Sequence, residues 1–181
     1  EDVLAEAGKS HKDLWAVAVS AGPGSYTGLR IGTSTAKGLC YALEIPLIAI
    51  NSLKALANLV KEQADVICPM FDARRMEVYT AVYAGDLTEL KATNALVVED
   101  ESEFTTYLEK GNVLFIGPGA EKCQEVISNA KAIWDLETEV SAKGMASLSH
   151  AKFQQADFED VAYFEPAYLK DFIAGTPKKL V

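Results

Sequence analysis

The chain has 181 residues, of which 49% are hydrophobic and 24% are charged, and its formal net charge is -9. Such a composition can bury a core, so an intrinsically disordered chain is excluded. An acidic surface repels phosphate backbones, so we expect no direct nucleic-acid binding by this chain alone. No apolar run reaches the ~20 residues of a membrane span, and residues 1–6 form no basic or apolar leader, so we expect a cytoplasmic protein with no membrane partner.

The sequence offers few residues from which a metal site could be built. It has three cysteines, Cys40, Cys68 and Cys123, and two histidines, His11 and His150. None of them stands in the CxxC, HExxH or HxxxH spacing that is typical of zinc sites. Cysteines that are odd in number and far apart fit buried thiols in a reducing compartment. We therefore predict neither a metal site nor a cofactor.

The first third of the chain alternates buried strands with helices. A near-continuous apolar strand is predicted first, then a glycine-rich turn and a long helix. A short strand follows, and Ser52 is the predicted N-cap of the next helix. In chain order the predicted elements are a strand at 14–20, a turn at 21–28, a helix at 29–44, a strand at 46–50 and a helix at 52–63.

The rest of the chain begins with three strands in succession. The pattern then returns to alternating helices and strands, and the chain ends on a predicted extended tail at 163–172. The predicted strands cover 66–72, 76–83, 89–98 and 113–116, with a short apolar segment at 130–134; the predicted helices cover 101–109, 120–128 and 141–155, and a turn occupies 117–119.

The two parts of the chain follow the same plan. Each contains a buried strand, a Gly-Pro-Gly turn, a helix, a short strand and another helix, and a repeat of this length indicates a duplicated domain. The second part opens with three strands and a helix, whereas the first opens on a helix end at residues 3–8. We therefore predict a first lobe at 1–63 that lacks its N-terminal strands, and a second lobe at 64–181 that includes the C-terminal tail.

Four sequence segments resemble one family. They are AGPGSYTGLRIG at 21–32, DARRMEVY at 72–79, IGPGA at 116–120 and EPAYL at 165–169. The first is similar to the signature of the TsaB (YeaZ) family, and the others follow in that family's order. The resemblance implies a two-lobed α/β protein with the actin-like ATPase (ribonuclease H-like) fold, related to the glycoprotease-like proteins.

The same resemblance implies a function that depends on binding. Family members are non-catalytic scaffold subunits that pair with the catalytic paralogue TsaD and recruit the small ATPase TsaE. Together these proteins modify tRNA with threonylcarbamoyladenosine. For this chain the resemblance implies a TsaD-like and a TsaE-like partner, a homodimer when the partner is absent, and no direct contact with tRNA.

The first glycine turn has two possible roles. A strand that leads through glycines into a helix N-terminus can bind an anion, because free backbone amides converge there. However, no P-loop lysine follows, and Gly22, Gly24 and Gly28 miss the GxGxxG spacing by one residue. We favour a structural loop, in which the glycines permit a tight turn and close packing of the strand on the helix.

A second candidate nucleotide site combines the turn after the strand at 66–72 with the second glycine turn. The hairpin carries Arg74 and Arg75 where the superfamily has a glycine-rich phosphate loop, and Gly117 and Gly119 follow the strand at 113–116. Bulky side chains keep backbone amides from wrapping a phosphate, although guanidinium groups can bind an anion. A degraded nucleotide site is therefore our favoured interpretation, with a local ion pair to Asp72 as the alternative.

The helix at 29–44 carries the prediction of a partner interface. Arg30, Ser34, Lys37, Tyr41 and Glu44 form one narrow polar stripe, and the remaining arc is apolar or small. Two glycines inside the helix each cost about 1 kcal/mol relative to alanine, which indicates a packing reason. A helix buried within its own lobe is the alternative. The family pairs through this helix, so the predicted interface residues are Leu29, Gly32, Thr33, Ala36, Leu39, Cys40 and Leu43.

Two enzymatic functions are the alternatives to a binding subunit. The first is a glycoprotease-like metallopeptidase, which requires the paired histidines that this sequence lacks. The second is a nucleotide-binding, kinase-like enzyme, which the arginine-containing hairpin disfavours. No pair of carboxylates has a spacing that suggests general acid–base chemistry. We therefore predict no catalytic residues.

Overall fold

A computed structural model of the protein describes residues 2–170. The described elements are five α-helices, seven strands and four 3₁₀ turns. No α-helix in this range is both long and apolar enough to cross a membrane. The helices are α1 Asp2–Glu6, α2 Tyr26–Leu43, α3 Ser52–Asn58, α4 Thr105–Lys110 and α5 Ala146–Gln154; the strands are β1 Val17–Ser20, β2 Leu47–Ile50, β3 Val66–Asp72, β4 Glu77–Ala84, β5 Glu89–Val97, β6 Val113–Ile116 and β7 Ala132–Asp135.

The strands form two sheets, and helices pack against both. β1 and β2 make a two-stranded parallel sheet. The second sheet has the order β5-β4-β3-β6-β7, in which β3 pairs antiparallel with β4 and parallel with β6. All four residues of β2 and all four of β6 are buried, as the continuous apolar sequence of each strand predicts. The predicted mixed α/β architecture is therefore confirmed.

The long helix α2 begins three residues earlier than predicted. Ser25 is its N-cap, and the Ser25 hydroxyl accepts a hydrogen bond from the amide of Gly28 at 3.3 Å. An N-cap serine satisfies one of the amides that have no partner in the first helical turn, which extends the helix back to Tyr26. The helix ends where Glu44 turns the chain in a left-handed conformation (φ 54°).

The helix α3 differs from its prediction at both ends. Its N-cap is Asn51 rather than Ser52, because the Asn51 side chain accepts hydrogen bonds from the amides of Leu53 and Lys54. The helix ends at Asn58 instead of continuing to residue 63. Glu62 has a φ of 65° and donates its amide to the carbonyl of Gly85, so the chain turns away toward β3.

One further helix prediction was wrong in kind. Residues 121–125 form a 3₁₀ turn rather than a helix over 120–128, with i to i+3 hydrogen bonds such as that from Cys123 N to Ala120 O at 2.9 Å. The helices predicted at 101–109 and 141–155 are present as α4 and α5, but each is preceded by a 3₁₀ turn, at Ser102–Phe104 and Ala142–Met145. Short 3₁₀ segments of this kind are common at helix starts and in connections.

The C-terminal strap, residues 159–170, returns across the molecule. It starts beside β2, where the Glu159 amide donates to the Leu47 carbonyl at 2.9 Å. It then passes α2 and the first glycine turn, where Ala167 N donates to Ala21 O at 2.7 Å. This course agrees with the predicted tail as far as residue 170, and residues 171 and 172 lie outside the described range.

Candidate functional site

The inner face of α2 packs on the chain's own two-stranded sheet. Ala36 and Cys40 join Val19 of β1 and Leu47 of β2 in one buried cluster. Among the predicted interface residues, Leu29, Thr33, Ala36 and Cys40 are buried, while Gly32, Leu39 and Leu43 are half-buried. For the four buried side chains, the structure agrees with the alternative interpretation, in which the helix packs within its own lobe. These four side chains are therefore not exposed for contact with a partner.

A neighbouring face of α2 lies open to solvent. The large apolar side chain of Ile31 is 63% exposed. No atom outside its own helix lies within 4 Å of the position that a Cβ on Gly38 would take. We define the open stripe as four exposed residues at i, i+4, i+7 and i+11, which share one helix face: Ile31, Thr35, Gly38 and Ala42.

The polar stripe of α2 is partly covered by the C-terminal strap. The Lys37 ammonium donates to the carbonyls of Ala162 at 2.9 Å and Phe164 at 3.1 Å. At the start of the helix, Tyr26 packs against Tyr168 with ring centroids 4.9 Å apart. The helix therefore has three sides: one on the sheet, one beside the strap and one open.

The first glycine turn packs between the strap and α3. Gly22 has a φ of +100°, and a Cβ at this position would lie 2.7 Å from the Ala167 carbonyl oxygen. The Gly22 amide donates to the Ser52 hydroxyl at 3.1 Å, and Ser52 also bonds the Ser20 hydroxyl. Close backbone approach accounts for the glycine at 22, which agrees with the structural role we favoured.

Beyond this turn, an apolar groove of about 780 Å³ runs along β1 and α2. Its walls include all four residues of β1 and, on α2, Gly32 and Thr35. Gly24 and Gly28 also line it, and a Cβ on either would meet only ordinary contacts, at 3.9 Å for Gly24 and 3.5 Å for Gly28. The groove is mostly apolar, which does not match the charge of a nucleotide phosphate.

The hairpin between β3 and β4 holds both predicted arginines in a left-handed conformation. Arg74 has a φ of 73° and Arg75 a φ of 52°, which is uncommon for residues with bulky side chains. The Asp72 carboxylate accepts the Arg74 amide at 2.9 Å, which closes the turn. Both arginine side chains are exposed.

The Lys122 ammonium fills the inner side of this hairpin. It donates to the carbonyls of Arg75 and Glu77, both at 2.7 Å, and to the Asp72 carboxylate. The hydrogen bond from Lys122 lowers the pKa of the Asp72 carboxyl. The hairpin thus directs carbonyl oxygens at a cation, the opposite of the amides that a phosphate loop directs at its anion.

The second glycine turn lies directly beside the hairpin. A Cβ on Gly119 would come within 2.7 Å of the Phe71 backbone, and one on Gly117 within 2.5 Å of Leu56 and 2.7 Å of the Met70 carbonyl. The structure therefore brings Arg74, Arg75, Gly117 and Gly119 into one region, but the glycines pack against β3. Nucleotide binding by these four residues stays a prediction.

The three thiols are buried side chains of the core. Burial raises the pKa of Cys68 to about 12, and it also raises the pKa of Cys123. A thiol with a raised pKa is a poor nucleophile and a poor metal ligand at neutral pH. Within residues 2–170, no group of three or more His, Cys, Asp or Glu side chains is placed to hold a metal ion.

Solved structures show the same fold. A protein from Pseudomonas aeruginosa described as similar to the peptidase YeaZ superposes with a TM-score of 0.77, at 24% identity over 93% of this chain and 80% of that chain. A structure named YeaZ from Pseudomonas aeruginosa matches with a TM-score of 0.76, also at 24% identity. The chain is therefore an α/β protein of the YeaZ fold class.

Sequence comparisons place the chain within that class. A sequence model of the family described as "TsaD: tRNA N6-adenosine threonylcarbamoyltransferase" matches residues 1–180. A Bacillus subtilis relative, named "tRNA threonylcarbamoyladenosine biosynthesis protein TsaB", is 36% identical over 121 residues, 65% of this chain. An Escherichia coli relative of the same name is 28% identical over 181 residues, 96% of this chain. The chain belongs to the TsaB (YeaZ) family.

The aligned part of each relative differs in extent. The chain spans 52% of the length of the Bacillus subtilis relative and 78% of the Escherichia coli one.

Sequence reasoning missed the lysines that organise the region. Lys122 and Lys170 lie just outside the quoted motifs, and their partners are carboxylates and backbone carbonyls far away in sequence. Only the folded chain brings these partners within reach of the two lysines.

Proposed function

We propose that the chain is a non-catalytic partner subunit of the machinery that makes threonylcarbamoyladenosine in tRNA. The observation that carries the proposal is the relation to proteins named TsaB, which in the Escherichia coli case extends over 96% of the chain. The net charge of -9 disfavours contact with tRNA phosphates, so in this proposal another subunit binds the tRNA. The proposal places this work in the cytoplasm.

The proposed partners are a TsaD-like catalytic paralogue and a TsaE-like ATPase, with a homodimer in their absence. We further propose the two-lobed actin-like organisation, with lobes at 1–63 and 64–181. The separate two-stranded and five-stranded sheets are compatible with that division.

The open stripe of α2 is the proposed contact surface. Its small residues Thr35, Gly38 and Ala42 let a second helix approach closely, and Ile31 supplies apolar area at one end. This revises the sequence prediction by moving the interface one step around the helix, away from the side chains that the chain already buries. Gly32, Leu39 and Leu43, which are half-buried, form its margin.

Replacing Ile31 by glutamate tests the interface. A carboxylate there would have to be desolvated on association, so complex formation with a TsaD-like partner should weaken at least about 30-fold. Light scattering after gel filtration measures both the complex and the homodimer. Ile133→Glu on β7 is the matched control, because Ile133 is also exposed but lies far along the other sheet. Equal behaviour of the two variants would reject the open stripe.

A reconstitution assay tests the absence of catalysis. The other proteins of the modification machinery, including the TsaD-like and TsaE-like partners, are supplied with their substrates and tRNA, with and without this chain. We expect modified tRNA only when this chain joins its partners, and none from the chain alone. Modification by the chain alone would support an enzyme, and peptidase activity that chelation abolishes would support the metallopeptidase alternative.

A further inference from the structure

The C-terminal strap contacts four separate parts of the molecule in turn. It is bound to β2 at one end and to the β3–β4 hairpin at the other, where Lys170 donates to the Glu77 carboxylate and to the Ala73 carbonyl at 3.3 Å. Between these ends it bonds α2 and the first glycine turn. The contacts, in chain order, are Glu159 to Leu47, Ala162 and Phe164 to Lys37, Ala167 to Ala21, and Lys170 to Ala73 and Glu77.

Elsewhere the two sheets are joined by packed helices. Leu53 and Leu56 of α3 share a core with Ile67 of the five-stranded sheet, and Leu148 of α5 packs on that core and on the cluster around Ile48 of β2. These contacts are apolar and buried. On the side of the two-stranded sheet, the strap packs Val161 and Phe164 against the cluster that contains Ala36 and Leu47. On the side of the five-stranded sheet it is held by the hydrogen bonds of Lys170, so the strap is the weaker of the two links between the sheets.

The strap has little structure of its own. Its internal hydrogen bonds are confined to one turn, where Asp160 accepts the amides of Ala162, Tyr163 and Phe164. The order of the rest depends on contacts with other elements. When one end of such a segment is released, each remaining contact must restrain a more mobile chain. The entropic cost of forming that contact rises, so the contact weakens.

We propose that the C-terminal strap opens and closes as one cooperative unit, and that it couples α2 and the first glycine turn to the β3–β4 hairpin. Closed, it fixes Lys37 and covers one flank of α2 beside the open stripe. Open, it frees that flank and the Ala167 contact over Gly22. This device belongs to the chain by itself and does not depend on the proposed partner function.

Amide hydrogen exchange on the whole chain tests the proposal. Lys170→Met removes the hydrogen bonds at one end and preserves the length of the side chain. We expect exchange at the Ala167 amide to accelerate about tenfold, and exchange at the distant Glu159 amide to accelerate about fivefold. Lys37→Met should accelerate the same two amides. The control is Lys61→Met, because Lys61 pairs with its exposed sequence neighbour Glu62, at 3.6 Å, and that pair lies outside the strap.

The distant amide decides the outcome. Acceleration at both Ala167 and Glu159, with unchanged exchange in β6, would show one unit that opens without unfolding the core. Acceleration of Ala167 alone would overturn the proposal, because the contacts would then be independent. Acceleration in β6 as well would also overturn it, since global unfolding would explain the data. Ala167→Pro, which deletes the donor itself, must accelerate exchange at the Glu159 amide as Lys170→Met does and leave exchange in β6 unchanged.

Discussion

The two Gly-Pro-Gly turns of the chain are nearly identical in sequence and differ in what surrounds them. Each follows a buried strand and begins with a glycine in the left-handed region, at φ +100° for Gly22 and +95° for Gly117. The first leads into an 18-residue helix, whereas the second leads into a five-residue 3₁₀ turn. The first adjoins the strap and an apolar groove, and the second is packed against β3.

This difference shows that the two turns share the conformation of their first glycine but not their packing environment. The requirement common to both turns is a first glycine whose backbone no other residue type adopts easily. The third residue is where they diverge. A Cβ on Gly119 would come within 2.7 Å of the Phe71 backbone, whereas one on Gly24 would meet only Leu29 at 3.9 Å.

The first glycines give the largest expected effect. Gly117→Ala combines a strained φ with a clash against Leu56 and the Met70 carbonyl, so we expect the free energy of unfolding to fall by about 3 kcal/mol. Gly22→Ala has the same strain, but its close neighbour belongs to the strap, which can move, so about 1.5 kcal/mol is expected. Chemical denaturation measures both. A larger loss for Gly22→Ala would mean that the strap is as rigid as the core.

The third glycines sharpen the comparison. Gly119→Ala forces a methyl group against the backbone of β3 and should lower the free energy of unfolding by about 2 kcal/mol. Gly24→Ala places the same methyl group at ordinary contact distance and should change it by less than about 0.5 kcal/mol. Thermal unfolding of the two variants at one pH measures the difference. If they behaved alike, the packing contrast between the turns would be wrong.

Much of the fold could be predicted because it depends on local pattern. The apolar runs that became β2 and β6 are continuous, and their burial follows from that alone. Helix boundaries were less accurate, since the caps Ser25 and Asn51 are recognisable only once the strand ends are known. The segment at 121–125 has helix-forming residues and was predicted as part of an α-helix. It forms a 3₁₀ turn in the connection between the neighbouring parallel strands β6 and β7.

The candidate site was less predictable for a physical reason. Periodicity identified the apolar arc of α2 but could not say which part the sheet would cover. The family resemblance then assigned Ala36 and Cys40 to a partner interface, although the chain's own core includes them. Exposed Ile31 and Gly38 belong to the same arc. The choice between these faces depends on the position of β1 and of the strap, which are long-range features.

The smallest expected effect concerns the ion pair between Lys122 and Asp72, which lies beside the second glycine turn. The hydrogen bond from Lys122 lowers the pKa of Asp72 from 3.8, so the carboxylate is stabilised in the folded chain. That stabilisation is complete above the unfolded pKa and is lost as the pH falls through the lowered, folded pKa. The Asp72 side chain is 55% exposed, so the contribution should stay below about 1 kcal/mol.

Asp72→Asn and Lys122→Met separate this ion pair from the other bonds of the hairpin. At about pH 7, Asp72→Asn should lower the free energy of unfolding slightly, and the difference from the parent should shrink below about pH 3, where the parent carboxyl also becomes neutral. In Lys122→Met, the pKa of Asp72, followed by NMR, should rise toward its ordinary value. If it stayed low, the Arg74 amide and guanidinium would be the main cause, and Lys122 would serve chiefly to bind the carbonyls of the hairpin.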